Sequence, residues 1–312
     1  MSIKSTASRT STTAPHPSRR TVLALGAGTA LASLLPLAGT AHASTGRLTG
    51  RLRELEEEHS ARLGVFAHDV RTGRSVAYRA DERFPMCSVF KTLAAAAVLR
   101  DLDHDGSFLA QRIRYTAADV ERSGFSPRTG LPRNLAGGMT VAGLCDATLR
   151  YSDNTAANLL LRELGGPKAV TRFARSIGDG VTRLDRWEPE LNSGEPWRET
   201  DITTPRAIGR TYGHLVLGAA LTPRDRDRLT GWMLANTTSG ERFRKGLPAD
   251  WILADKTGGG RYGGNNDVGI AWPPTGGPVL LAVLTAKPEE DAAADNPLVA
   301  KAAALVAAEL RP

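Results

Sequence analysis

Val65-Phe66-Ala67-His68-Asp69-Val70-Arg71-Thr72-Gly73-Arg74-Ser75-Val76-Ala77-Tyr78-Arg79 joins two β-prone runs through a polar tetrad that contains a glycine. The pattern predicts a β-hairpin, with strands over 65–70 and 75–79 and the turn over 71–74. Toward the N-terminus, Leu48, Leu52, Leu55 and Leu63 recur at helical spacing and predict a helix over about 47 to 63. At the other end, strand-like runs return over 251–257, 266–272 and 278–286, followed by an alanine-rich helix over about 297 to 310. Between these ends, from about 88 to 246, the periodicity is helical. Thr140, Pro167 and Thr204-Pro205 suit helix starts, and Gly165-Gly166 suits a stop. Strands at both ends with helices between them predict an α+β fold. The expected arrangement is one antiparallel five-stranded sheet built from both chain ends and flanked by the terminal helices, beside an all-α lobe. The expected boundaries are 44–86 plus 235–312 for the α/β lobe and 87–234 for the helical lobe, with the site in the cleft between them.

The chain has 312 residues, 41% of them hydrophobic, with a net charge of +7 and two cysteines. These values exclude a wholly disordered chain, a multi-span membrane protein, a disulfide scaffold and a four-cysteine zinc site. Residues 1–43 carry Lys4, Arg9, Arg19 and Arg20 and no acid, so four of the positive charges belong to that segment. The remaining excess is too small and too scattered to suggest a nucleic-acid partner. Ser18-Arg19-Arg20-Thr21-Val22-Leu23 opens an apolar run that ends at Ala41-His42-Ala43, a small-x-small cleavage pattern. Paired arginines before a mildly apolar run are similar to a twin-arginine export signal. The expectation is a signal peptide over 1–43 read by the export machinery, a mature chain from near Ser44, and secretion from a bacterium. Pro36 and the glycines of the run argue against a stable membrane anchor. Cys87 and Cys145 read as two small buried residues rather than a disulfide.

Three short strings carry chemistry. Ser88-Val89-Phe90-Lys91 sets a hydroxyl and an amine on one face of a helix start. Serine is a weak nucleophile unless a neighbouring base takes its proton. Lysine is scarce here, with seven in the chain, so one inside a motif stands out. Ser152-Asp153-Asn154, between two helical runs, offers a second hydroxyl for proton relay and a carboxamide for a substrate amide; an ordinary helix cap would use the same residues. Lys256-Thr257-Gly258 ends a strand and offers a cation and a hydroxyl to a carboxylate, and Gly259 lets the backbone approach a ligand.

In this order the three strings resemble the class A β-lactamases and penicillin-binding proteins, and the resemblance covers essentially the whole mature chain. Arg186-Trp187-Glu188-Pro189-Glu190-Leu191-Asn192 resembles the omega-loop motif of the class A branch. The resemblance implies Ser88 as nucleophile, Lys91 or Glu188 through a water as its base, and Ser152 as proton donor to the leaving nitrogen. It implies Glu188 as the base that deacylates, with Asn192 helping to hold the water. Asn154 would bind the acylamide side chain, and Lys256, Thr257, Gly258 and Gly259 would line the substrate edge. The backbone N–H groups of Ser88 and Gly259 would form the oxyanion hole. Where many relatives carry an arginine after the lysine-threonine-glycine string this chain has Asn265 or its neighbour, so Arg242 is the expected second cation. Phe125 resembles an aromatic gate, and Arg186 is expected to pair with Asp201. The implied function is a secreted, monomeric β-lactamase that hydrolyses penicillins and some cephalosporins and confers resistance. No cofactor or metal is implied, and His59, His68, His104 and His214 lack metal-site spacing. The alternatives are a D-alanyl-D-alanine carboxypeptidase and a non-turnover β-lactam-binding sensor, both disfavoured by the omega-loop motif. Gly259 and Gly260 give Cys87 no disulfide partner, which argues against carbapenemase activity.

Gly258-x-Gly260-x-x-Gly263 matches a dinucleotide fingerprint by letters but lacks a following helix. Asp101-x-Asp103-x-Asp105-Gly106 imitates a calcium loop, yet its twelfth position is Arg112 where a bidentate acid is needed.

Overall fold

The hairpin forms as β1 (Arg62–Asp69) and β2 (Ser75–Tyr78), paired antiparallel with Val65 opposite Tyr78. Asp69 fixes its turn by accepting the N–H groups of Arg71 at 2.9 Å and Thr72 at 3.2 Å. The computed structural model describes residues 38–311, with side chains from Gly46 onward. The signal peptide expected over 1–43 therefore falls, in all but its last residues, outside the described part.

The N-terminal helix α1 (Ala38–Glu58) ends earlier than its leucine spacing predicts. Ser60, at φ 45°, breaks the chain direction, and Leu63 is buried in β1. An apolar residue eight positions after Leu55 fits a helical stripe and a strand start equally well, which is why the spacing misled.

The middle of the chain supplies α2 (Phe90–Ala97), α3 (Val141–Arg150), α4 (Asn154–Glu163), α5 (Lys168–Ser176), α6 (Pro205–Val216) and α7 (Pro223–Leu234). Thr140, Asp153 and Thr204 cap α3, α4 and α6 by accepting the N–H groups of Gly143, Ala156 and Ala207. The chain leaves α4 through Gly165 and Gly166, both at positive φ. It closes with β3 (Ile252–Gly259), β4 (Asn265–Trp272), β5 (Val279–Ala286) and α8 (Asn296–Leu310).

The five strands run in the order β2-β1-β5-β4-β3, antiparallel throughout. The last strand is inserted beside the first, with Val65 opposite Val283, so the two chain ends build one sheet. Every residue of β5 is buried, because both faces of the sheet are covered. Leu281 and Val283 pack with Leu48, Leu52, Leu298 and Val306 of the terminal helices. Leu280, Ala282 and Leu284 pack with Phe90, Leu93, Leu160 and Tyr212 of the middle helices. This insertion leaves β3 at the edge of the sheet, with one side unpaired by strand. Among the described residues no helix is long and apolar enough to cross a membrane.

Candidate active site

Ser88 lies in the short turn Cys87–Val89 that leads into α2, and several distant groups fix that turn. Asn266 Nδ2 on β4 donates to the carbonyls of Pro85 at 2.9 Å and Met86 at 3.1 Å. Met86 N–H donates to Asp201 O at 2.8 Å, and Tyr212 Oη donates to Val89 O at 2.8 Å. Cys87 takes φ 49° there, and a Cβ on Gly258 would lie 3.1 Å from the Cys87 Cβ. A side chain at 258 would push the turn off the strand, so the glycine allows β3 to run directly beneath the serine. Cys87 and Cys145 are both buried and unpaired. Burial, reinforced by the charge of Glu188, pushes the Cys87 thiol up to about 12, which makes it inert as a nucleophile.

One turn into α2, the Lys91 side chain has no solvent exposure. Its Nζ contacts Glu188 Oε1 at 3.0 Å and donates to Asn154 Oδ1 at 2.7 Å and Ser152 O at 2.8 Å. The Ser88 hydroxyl donates to the same Glu188 oxygen at 3.3 Å. Serine and lysine thus meet on one carboxylate oxygen rather than in a direct bond to each other. Ser152, at φ 57°, turns its Oγ between two lysine side chains, with Lys91 Nζ at 3.3 Å and Lys256 Nζ at 3.1 Å. Asp153 both caps α4 and ties down the neighbouring loop, accepting from Arg128 N–H, Thr129 N–H and Thr129 Oγ1. The cap and the site therefore use the same three residues. Asn154 Nδ2 donates to Ser123 O at 3.1 Å, and its N–H donates to Phe125 O at 2.8 Å. Phe125 itself is exposed at 62%.

The segment after α5 carries Glu188, which is buried. Asn158, one turn after Asn154 on α4, grips its backbone from both sides: Nδ2 donates to Glu188 O at 2.9 Å and Oδ1 accepts Glu188 N–H at 3.0 Å. Asn192 Nδ2 donates to Glu188 Oε2, while Asn192 Oδ1 is buried without a protein partner. The Glu188–Pro189 peptide is cis. At the neck of the segment Arg186 Nε donates to Asp201 Oδ2 at 2.6 Å, the pairing expected from the sequence. Asp201 also accepts the N–H groups of Asp185 and Arg186, so a buried carboxylate closes the loop with three donors.

From β3, Lys256 Nζ donates to Ser152 Oγ and to Thr257 O at 2.7 Å. Burial, then the charges of Lys91 and Arg242, hold Lys256 well below the usual lysine range. Thr257 Oγ1 shares a hydrogen bond with Thr238 Oγ1. Arg242 reaches under the strand: Nη1 donates to the carbonyls of Gly258 at 2.9 Å and Asn266 at 2.8 Å, and Nε donates to Asn296 Oδ1 at 2.9 Å. Its second terminal nitrogen makes no hydrogen bond among the described residues.

Ser88, Lys91, Ser152, Asn154, Glu188, Asn192 and Lys256 are linked by direct contacts in one network. Thr257, Gly258 and Arg242 border it along β3, and Phe125 borders it through Asn154. Sequence reasoning missed Asn158 and Asn266. The first could have been found, since it stands four residues after Asn154 and so shares its helix face. The second gave no local signal.

Comparisons with known proteins show the family. The model of the beta-lactamase enzyme family matches residues 47–310. A β-lactamase of Streptomyces fradiae is 68% identical over 298 residues, covering 95% of this chain and 97% of that protein. One from Streptomyces lavendulae is 67% identical over 303 residues, covering 96% and 99%. Among solved structures, the β-lactamase of Streptomyces albus G superposes with a TM-score of 0.83 at 66% identity, over 84% of this chain and 98% of that one. A β-lactamase from Desulfarculus baarsii gives 0.82 at 46% identity, over 86% and 98%.

Proposed function

Because the chain belongs to the beta-lactamase enzyme family, as a class A serine member, we propose that Ser88 opens the lactam and that Glu188 drives the separate release of the acyl group. The reaction is hydrolysis of the β-lactam amide, the activity that confers resistance. Support for the residue roles comes from the shared oxygen of Glu188, which accepts the Ser88 hydroxyl and contacts Lys91 Nζ.

Lys91 Nζ contacts four oxygens, and three of them, Glu188 Oε1, Asn154 Oδ1 and Ser152 O, can only accept, so in this arrangement it is a donor. The proton of Ser88 then passes to Glu188 as Oγ bonds to the lactam carbonyl carbon. Ser152 gives its proton to the ring nitrogen as the C–N bond breaks, and regains one from Lys91, which regains one from Glu188. The Ser88 and Gly259 N–H groups receive the carbonyl oxygen, a contribution of about 3–4 kcal/mol per donor. For release, a water between Glu188 and the unpartnered Asn192 Oδ1 loses its proton to Glu188 and attacks the ester. The ester C–O bond breaks and Ser88 takes the proton back. Asn154 receives the acylamide, and Lys256, Thr257 and Arg242 receive the substrate carboxylate. Phe125 borders the mouth. The site fits a cleft between the α/β lobe (44–86, 235–312) and the helical lobe (87–234). We further propose that penicillins and some cephalosporins are the substrates, that the enzyme is a monomer, and that it is secreted by twin-arginine export through residues 1–43.

The test is Glu188→Gln with benzylpenicillin, followed by intact-protein mass. Without the carboxylate, Lys91 loses its ion-pair partner and can take the Ser88 proton itself, so ring opening slows but proceeds. Release has no substitute base and is expected to slow by about 10²–10⁴-fold, leaving a persistent adduct of the substrate's mass. Sustained turnover without an adduct would overturn the role of Glu188. A wild-type enzyme that acylated once and stopped would point instead to the sensor or the carboxypeptidase.

A further inference from the structure

Trp197 is 73% exposed, yet it is not loose: its ring meets Tyr262 edge to face, with centroids 6.0 Å apart and planes at 82°. The two residues belong to different walls of the site. Trp197 follows the Glu188–Asn192 segment, and Tyr262 sits in the turn between β3 and β4. The same walls are joined by a backbone bond from Arg261 N–H to Asn192 O at 2.9 Å. Asn192 is the residue whose amide holds Glu188.

Tyr262 is buried and takes φ 52°, a left-handed conformation that a bulky residue adopts when its surroundings impose it. The imposition is visible: Tyr262 N–H donates to Glu290 O at 2.9 Å, and Tyr262 O accepts Lys287 N–H at 2.5 Å. Both partners follow β5, so the tyrosine is anchored to the sheet. Gly194 completes the seam, since a Cβ there would lie 2.9 Å from Arg261 O.

We propose that Trp197 and Tyr262 are positioning residues for deacylation: the aromatic pair fastens the Glu188 segment to the sheet and so sets Asn192 against Glu188. The inference rests on the reading of Glu188 and Asn192 given above. Ring opening uses Glu188 Oε1, which faces Ser88 and Lys91, whereas Asn192 acts on Oε2 and on the water of release, so the strap acts on release and not on ring opening. Trp197 contacts neither the nucleophile nor its base.

The experiment is rapid-quench mass spectrometry with benzylpenicillin, which gives the acylation and deacylation rate constants separately. Trp197→Ala is expected to lower the deacylation rate constant by about three- to tenfold, the range that one edge-to-face pair supplies. The acylation rate constant and kcat/KM should match the wild type. Tyr262→Gly, which tolerates the positive φ while removing the ring, should give the same loss, and the double variant should lose no more than either single one. Trp197→Phe should restore deacylation. Equal slowing of both steps, or no slowing of release, would overturn the proposal. If Glu188→Gln traps the adduct while Trp197→Ala behaves as wild type, the strap alone fails. If Glu188→Gln turns over freely, the reading of the base fails first.

Discussion

Replacing Asp267 by asparagine should barely change stability near pH 4 and should favour the variant progressively as the pH rises. Asp255 on β3 and Asp267 on β4 are both fully buried, close enough for each to act on the other's ionisation. Burial, then the charge of Asp255, holds Asp267 well above the usual carboxylate range. Burial also raises Asp255, but Asn236 Nδ2 at 2.8 Å and Arg244 Nη2 at 3.4 Å oppose that rise. The charge therefore rests on Asp255 and the proton on Asp267. An asparagine at 267 reproduces the neutral acid: its oxygen can accept Phe243 N–H, now 3.1 Å from Oδ2, and its amide can donate toward Asp255.

The expected loss near pH 4, where the carboxyl keeps its proton on unfolding, is below about 1 kcal/mol, the scale of one rearranged hydrogen bond. In Tm that is at most about 2–4 °C for a domain of this size. An ionised Asp267 paired with a cation would instead lose about 3–5 kcal/mol on neutralisation. The pH trend follows from the direction of the shift. A carboxyl raised on folding contributes stability that is complete below its unfolded pKa, near 4, and is lost as pH climbs through the folded value. Within that window the wild type forfeits about 1.4 kcal/mol per pH unit that the variant does not. Thermal melts by circular dichroism at half-unit steps upward from pH 5 would measure the difference. A constant offset between the two proteins across that range, or a collapse of the variant at pH 7, would refute the shared-proton account.

Gly246→Ala should destabilise the fold by about 2–3 kcal/mol, because its Cβ would come 2.1 Å from Ala300 O, a helix backbone atom that cannot step aside; a chemical denaturation midpoint reads it directly. Arg242→Ala should lower kcat/KM for carboxylate-bearing β-lactams by about ten- to a hundredfold, through KM, while leaving deacylation unchanged. Steady-state kinetics on a substrate and its carboxylate ester would check the assignment, and equal losses on both would reduce Arg242 to a prop for the carbonyls of Gly258 and Asn266.

Much of the fold was legible because it is written locally. The hairpin at 65–79, the caps at Thr140 and Thr204 and the glycine exit at 165–166 each depend on a few neighbouring residues. The family strings were legible for a related reason: Ser88 and Lys91 stand one helical turn apart, and Ser152, Asp153 and Asn154 double as a cap. Leu63 was misread because two periods share the same spacing. What local patterns do not encode is which strand lies beside which. The insertion of β5 between β1 and β4 follows from apolar residues on both of its faces, and that is a property of the assembled sheet.

The site residues that escaped the sequence share this character. Asn266 fixes the turn under Ser88 across 180 positions of chain, through carbonyls that any residues at 85 and 86 would supply. Nothing about an asparagine in a strand announces such a partner. Asp267 is legible as a carboxylate, but its proton is set by Asp255 across the strand pair and by burial beneath α8 and the segment around Phe243. The chemistry of this enzyme is thus divided between two kinds of residue. In the proposed mechanism Ser88, Lys91, Ser152 and Lys256 each need a particular functional group, so short strings betray them. Asn158, Asn266 and Trp197 need a particular place, and the fold alone provides it. Substitutions of the second kind should change rates without abolishing chemistry, because the reacting groups remain and only their alignment is lost.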